Sequence, residues 1–407
     1  MTTEKFNPLD PRMFTDPHPL LDALREKDPV YFEPTLNMWV VTGHHEAMAV
    51  MRAPGGDHRY VEFQRLRLPG DVENQPYLRR MREWILMKGG EDHKRIRGVF
   101  TRHFTKRRAE DLRPRLEATA HALIDRFADT GRVELVEAFA RPLPLDIIGE
   151  LMAVPVTDQA RIDHMIEAFK IAVQPLPMTQ EQLRTANDGL TGLDGYFTEL
   201  IAQRRNEPGD DLLTVLIREC EAGEMTPEEL VSNAWGLYAA GFETSGSAIC
   251  NGVWLLSRNP AQLELLRADW SRMDQAVDEV LRMDGPGQAT VRLFTEEIEV
   301  GGHVIPADTP VLVYFLAGSR DPRHWSCPHA FAVDREHIRD HFGFGQGIHR
   351  CLGAHLARVT MAVALEAIFT RLPGIRVDEL DWNQHSIFHG PSRMTVSWPR
   401  GEDNADE

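Results

Sequence analysis

Nowhere in the 407 residues does an apolar run approach the roughly 18 uninterrupted positions of a spanning helix, and the opening MTTEKFNPLDPRMF has no apolar signal core. Both features predict a soluble, cytoplasmic protein with no membrane attachment. Positive charge is in short supply. With 45 Lys and Arg against 62 Asp and Glu the net charge is −17, which argues against a nucleic-acid binder relying on overall positive charge. Cysteine is scarce too: Cys220, Cys250, Cys327 and Cys351 are widely spaced and form no CxxC pair, so neither a disulfide framework nor a zinc ribbon is predicted. Gly/Ser-rich linkers, charge blocks, low-complexity runs and internal repeats are missing, which points to one domain over residues 1–407.

What is present is a hydrophobic content of 42%, enough for a substantial core, and long stretches of helical periodicity. These dominate from about Glu91 to Arg258. β-prone runs occur at Val30–Phe32, Trp39–Val41, Thr290–Phe294, Ile298–Val300, Pro310–Phe315 and Met394–Trp398, with Gly301-Gly302 as a hairpin turn. The expectation is a mainly α protein with small β-sheets (α+β). Its sheet region draws on about 1–60 and 290–320, and the acidic 401–407 forms a disordered tail.

One helix stands out. Thr226-Pro227-Glu228-Glu229 supplies a cap, a proline at the first helical position and a carboxylate at the third, and no stop signal appears before Asn259-Pro260. A helix over Thr226–Arg258 would be about 48 Å long, apolar almost all round and therefore central. Its middle, Ala240-Gly241-Phe242-Glu243-Thr244-Ser245-Gly246, places glycines, a carboxylate and hydroxyls where a buried helix favours leucine or alanine. That pattern fits either a glycine packing contact with internally satisfied polar groups, or a helix opened beside a ligand.

The second focus is Phe344-Gly345-Gln346-Gly347-Ile348-His349-Arg350-Cys351-Leu352-Gly353. Glycines let backbone approach a flat object, and the helical run after Cys351 puts its sulfur at a helix N-terminus, a position that favours thiolate. A buried structural cysteine, or a metal clip of His349, Cys351 and His355, would leave the glycines unexplained.

These ten residues resemble the FGxGxHxCxG signature of the cytochrome P-450 family at every defined position. Four further motifs agree in order and separation. Glu279-Val280-Leu281-Arg282 is similar to the ExxR pair, and Trp325, Pro328, Phe331 and Arg335 to the meander that follows it. Ala240–Thr244 resembles AGxDT, and His93-Lys94-Arg95-Ile96-Arg97 resembles HxxxR. The resemblance implies a P-450 fold, a triangular-prism helical domain with haem between the long central helix and the cysteine-loop helix. It also implies a bacterial soluble monooxygenase carrying haem b (iron protoporphyrin IX) on a Cys351 thiolate. Ala240, Phe344, Gly345 and Gly353 would border the haem, while His93, Arg97, Arg292 and His349 would neutralise its propionates. Glu279, Arg282 and Arg335 would form a structural clamp, and Glu243 and Thr244 would manage protons while dioxygen is activated.

Electrons would come from NAD(P)H through a ferredoxin reductase and a ferredoxin. The basic run Lys94, Arg95, Arg97, Arg102, Lys106, Arg107 and Arg108 is the candidate docking patch. Helical steps back from Thr244 place Ala240, Leu237, Gly236 and Asn233 toward the haem. The family pattern adds Gln288, Ala289, Thr290, Val291, Ile387, Phe388 and His389 to the substrate pocket. The polar members suggest a hydrogen-bonding substrate, such as a natural-product intermediate. Two departures stand out: Glu243 replaces the usual Asp, and Lys88–Asp92 replaces a proline-containing approach to His93. An oxidative-coupling or ring-forming member would share every motif. A non-catalytic haem sensor or carrier would need the cysteine loop but not Glu243 and Thr244.

Overall fold

The computed structural model describes residues 6–8, 10–57, 59–68 and 74–400, and the tail at 401–407 lies outside them. Helices carry most of the mass, and small sheets flank them. A five-stranded sheet is assembled in the order Val30–Glu33, Met38–Val41, Pro310–Tyr314, Ala289–Phe294 and Gly56–Asp57. Only the Met38–Val41 and Pro310–Tyr314 pair runs parallel, so sequence-distant segments meet in one layer. Gly301-Gly302 turns the hairpin between Ile298–Val300 and His303–Ile305.

Besides the two-residue Gly56–Asp57, two longer strands escaped the sequence reading. Arg132–Glu134 lies inside the helical region, and Arg376–Trp382 is rich in charge; both pair with Pro391–Ser397 in a three-stranded sheet. A π-helical turn, Val136–Ala140, follows the first of them.

The central helix runs Pro227–Ser257. Its start is the reciprocal cap the sequence predicts: the Glu229 N–H donates to Thr226 Oγ1 at 3.1 Å, and the Thr226 N–H donates to Glu229 Oε2 at 2.8 Å. The helix is unbroken through Ala240–Gly246, which favours the packing alternative over an opened helix. Thr244 and Ser245 return their hydroxyls to the carbonyls of Ala240 and Gly241, both at 3.2 Å. The glycines serve packing instead. A Cβ on Gly241 would lie 2.6 Å from Ile148 Cγ1, and one on Gly246 would lie 3.0 Å from the carbonyl oxygen of Ala140, so neighbouring helices can press close against this segment.

Two large apolar cores lie along the central helix. One joins Ala248–Leu256 to the helix Ala354–Arg371, and the other joins Ala234–Phe242 to Val156–Val173 and Gln180–Asn206. Among the described residues no helix is long and apolar enough to cross a membrane.

Candidate active site

Between the central helix and the cysteine loop lie two adjoining cavities, about 510 and 290 Å³. Thr244, Pro286, His349, Cys351 and Phe388 border both. The catalytic candidates of one wall thus face the cysteine of the other across shared space. Of the remaining cysteines, Cys250 is buried in the core, Cys220 is half-buried and Cys327 is exposed.

The loop geometry explains how Cys351 is presented. Gly345 and Gly347 adopt φ of +64° and +73°, and a Cβ on Gly347 would strike the Met51 carbonyl at 2.1 Å, so that position excludes a side chain. The Cys351 N–H donates to the Phe344 carbonyl at 2.8 Å, closing the loop. The following helix begins at Ala354, not at the cysteine. Burial pushes the Cys351 thiol up, against the opposing pull of the Gly353 amide and of Arg97, Arg350 and Arg358. The Gly353 amide and the three cations thus favour the anion, as the sequence predicts for this position, and burial opposes them.

His93, Arg97, Arg292 and His349 come together at the cavity edge. The His93 and His349 rings meet edge to face at 4.5 Å, and Arg97 Nη2 donates to the Arg350 carbonyl at 2.8 Å. Buried Arg292 donates to the Thr290 hydroxyl at 3.1 Å and to the Val291 carbonyl at 2.9 Å. His93 Nε2 is buried without a hydrogen-bond partner, and burial, with His349 and Arg97 nearby, pushes the imidazole down to about 4. A buried donor-rich cluster with an orphaned ring nitrogen suits an acidic group of a ligand. Asp57, missed in the sequence, shows that preference within the protein. Its carboxyl lies 3.7 Å from His349 Nε2, and that histidine holds it below the usual carboxylate range.

Beneath the cysteine loop the clamp is complete. Glu279 and Arg282 have no exposed side-chain surface and share two hydrogen bonds, 2.7 and 2.9 Å. Arg335 Nε reaches the same carboxylate at 3.0 and 3.1 Å, and the Ala332 N–H adds a fourth donor at 2.9 Å. Arg282 also donates to the carbonyls of Ser319, Pro328 and Ala330. The meander is thereby tied to the helix Met273–Asp284.

On the opposite wall Glu243 is ion-paired rather than solvated, with Lys170 Nζ at 2.9 Å and Arg141 Nη2 at 3.4 Å. Although burial of Lys170 opposes it, Glu243 and Glu167 hold the ammonium above its ordinary value. Neither cation was legible as a site residue.

The predicted substrate pocket divides. Gly236, Leu237 and Ala240 line the larger cavity, Ala289, Thr290, Val291 and Ile387 the smaller, and Phe388 both. Three polar members are committed elsewhere. Asn233 receives the Ile85 N–H at 3.0 Å and donates to the Glu83 and Glu229 carbonyls. Gln288 donates to the His385 carbonyl at 3.2 Å. His389 stacks on Trp382 at 4.3 Å and stands 3.9 Å from Asp284. None of them lines either cavity: Asn233 and Gln288 are spent on backbone groups, and the His389 ring is spent on Trp382 and Asp284.

The docking run is also partly spent. Arg95 forms a two-pronged pair with Glu229 at 2.7 and 2.9 Å, and Arg102 pairs with Glu219 at 2.7 Å. Lys94, Lys106, Arg107 and Arg108 remain exposed.

Comparison with known proteins agrees with this geometry. The sequence model of the family described as Cytochrome P450 matches residues 37–373. The chain is 37% identical to the 6-deoxyerythronolide B hydroxylase of Saccharopolyspora erythraea, covering 88% of this chain and 89% of that one. It is 34% identical to the cytochrome P450 monooxygenase PikC of Streptomyces venezuelae, covering 95% and 92%. Among solved structures, P450BioI in complex with an acyl carrier protein ligated to hexadec-9Z-enoic acid superposes with a TM-score of 0.89 at 27% identity, covering 96% of this chain and all of that one. A cysteine presented on a glycine-rich loop, opposite a threonine on the central helix, is thus embedded in a fold and sequence shared with such relatives, and the chain belongs to the cytochrome P450 family of haem-thiolate monooxygenases.

Proposed function

We propose that this enzyme hydroxylates a small organic substrate with hydrogen-bonding groups, a natural-product intermediate, in the cytoplasm, using electrons delivered singly by a separate ferredoxin and its reductase. The observation that carries this reading is the pairing of Cys351 with Thr244 across shared cavity space. The relatives' names support the substrate class: besides the hydroxylase and the monooxygenase above, the chain is 35% identical to a mycinamicin IV hydroxylase/epoxidase of Micromonospora griseorubida.

In this assignment Cys351 would hold the haem iron, and His93, Arg97, Arg292 and His349 would take the haem carboxylates. When bound, the haem supplies dioxygen binding and cleavage, favoured by thiolate donation. The chain supplies the rest. Apolar Leu237, Ala240, Val291 and Phe388 exclude water and hold carbon skeletons, while Glu243, braced by Lys170 and Arg141, keeps a carboxylate one residue from the Thr244 hydroxyl. Carboxylate and alcohol together can pass protons from the polar mouth toward the cysteine side. Around His355 at the start of the cysteine helix, Lys106, Arg339, Arg350 and Arg358 set a positive field that pushes its imidazole down alongside burial. That field is a face suited to an acidic electron donor in spite of the net charge of −17.

The deciding experiment is the reduced, carbon-monoxide-bound spectrum, followed by a binding screen of macrolide and terpenoid intermediates with product analysis. A thiolate-type spectrum, lost in Cys351→Ala and kept when Cys220, Cys250 or Cys327 is replaced, is the expected result. Loss through any other cysteine removes the ligand assignment, and a coupled or cyclised product without added oxygen removes hydroxylation.

A further inference from the structure

Asp278 adjoins the clamp glutamate Glu279 but faces a different partner. Its side chain is 2% exposed. Oδ1 accepts from Arg358 Nε at 2.8 Å and from His341 Nε2 at 3.2 Å, and Oδ2 lies 3.8 Å from Arg339 Nε. The Gly343 N–H donates to His341 Nδ1 at 2.9 Å, so the ring proton sits on Nε2, directed at the carboxylate. Burial alone would push Asp278 up, but His341 and Arg358 hold it below the usual carboxylate range, while burial keeps His341 below its ordinary value and so neutral. The buried anion therefore faces two cations, Arg358 in hydrogen-bond contact and the exposed Arg339 farther off.

Both arms end on the cysteine loop. His341 holds Gly343, and the Arg358 guanidinium lies 4.5 Å over the Phe344 ring, whose carbonyl accepts the Cys351 N–H. Arg358 stands about one turn into the helix that begins at Ala354, just past Cys351. Reduction would add one negative charge at a sulfur-bound iron, so a fixed cation packed on the loop that presents the sulfur favours reduction, and a carboxylate on that cation weakens the effect.

We propose that Asp278 and Arg358 are positioning residues whose charge couple orients the cysteine loop and sets the reduction potential of the bound haem. This rests on Cys351 being the ligand. Glu279 then anchors the meander, while its neighbour governs how readily the first electron arrives.

The test uses purified holoenzyme: wild type, Arg358→Gln, Arg358→Lys and Asp278→Asn, each measured for haem content, reduced carbon-monoxide spectrum and ferric–ferrous potential. Arg358→Gln should disfavour reduction about tenfold, about 59 mV for one electron. Asp278→Asn should shift the potential the opposite way, because Arg358 is left uncompensated. Arg358→Lys, which keeps the charge but loses the planar stack, should stay within about threefold of wild type. A looser loop would move both neutralising variants in the same direction. That outcome, or unmoved potentials with the thiolate spectrum intact, overturns the inference. If Asp278→Asn takes up no haem, Arg358→Gln against Arg358→Lys decides, and equal potentials overturn it. A wild type without the thiolate spectrum overturns the Cys351 assignment and this inference with it, which separates the two failures.

Discussion

The floor under the cysteine loop and the wall that faces the substrate are built from different kinds of contact. In the floor, Glu279 has four donors from Arg282, Arg335 and Ala332, and Arg282 spends its remaining hydrogens on three carbonyls. In the wall, the helix Val156–Val173 meets the central helix through the Lys170–Glu243 pair, and its Lys170 carbonyl meets His385 Nε2 at 2.9 Å. The floor leaves no group free to find another partner, so it holds one geometry. The wall is apolar with a few exposed ties that can break and re-form, which suits a surface that must admit and release molecules.

Breaking the floor should give the largest effect. Glu279→Ala leaves Arg282 buried and unpaired, at a cost of about 3–5 kcal/mol, and should appear as loss of haem retention together with a matching fall in denaturant midpoint. A midpoint within error of wild type would place Glu279 outside the frame that holds the site.

Acid should act next, through the ring-bearing loop of the wall. Burial pushes both His385 and His389 down to about 4 from an ordinary value of 6.5. Between those values the unfolded chain binds protons that the folded chain refuses, so stability falls as pH drops from 6.5 toward 4. The slope is up to about 1.4 kcal/mol per pH unit for each residue. Urea melts at pH 7.5, 6 and 5 should show this dependence, and His389→Gln should flatten it. An unchanged slope in that variant would assign the acid sensitivity to other groups.

The smallest effect on folding belongs to Thr244→Ala, which removes one intrahelical hydroxyl bond and should change stability by less than about 1 kcal/mol. Its signature is in turnover: haem and substrate still bind, but more peroxide is released per product, measured as the ratio of peroxide to hydroxylated product. Wild-type coupling in both Thr244→Ala and Glu243→Gln would mean that protons reach the cavity by another route.

The same contrast governs how much could be read from the sequence. The central helix announced its start through the Thr226–Glu229 cap, and the cysteine loop and the Glu279–Arg282 pair announced themselves by fixed local spacing, because each depends on residues close together in the chain; Arg335, 56 residues from Glu279, was reached through the family pattern. Asn233, Gln288 and His389 misled for a physical reason: a polar side chain committed to backbone groups, or to a neighbouring ring and carboxylate, has the same identity as one that faces a ligand, and only its direction separates them. Asp278, Arg358, Lys170 and Arg141 gave no signal, since their partners lie tens of residues away. The strand Arg376–Trp382 was missed because alternating charges on a sheet edge lack the apolar period that marks a strand.

Phe388 borders both cavities, held there by a bridge to Gly287 and by the His389 N–H bond to the Pro286 carbonyl. Trp84 and Phe169 border both as well, so a screen of three aromatic rings stands between two rooms. The rotamers of that screen decide whether a guest meets one chamber or a suite, and the breadth of compounds this enzyme accepts is set there rather than in the frame.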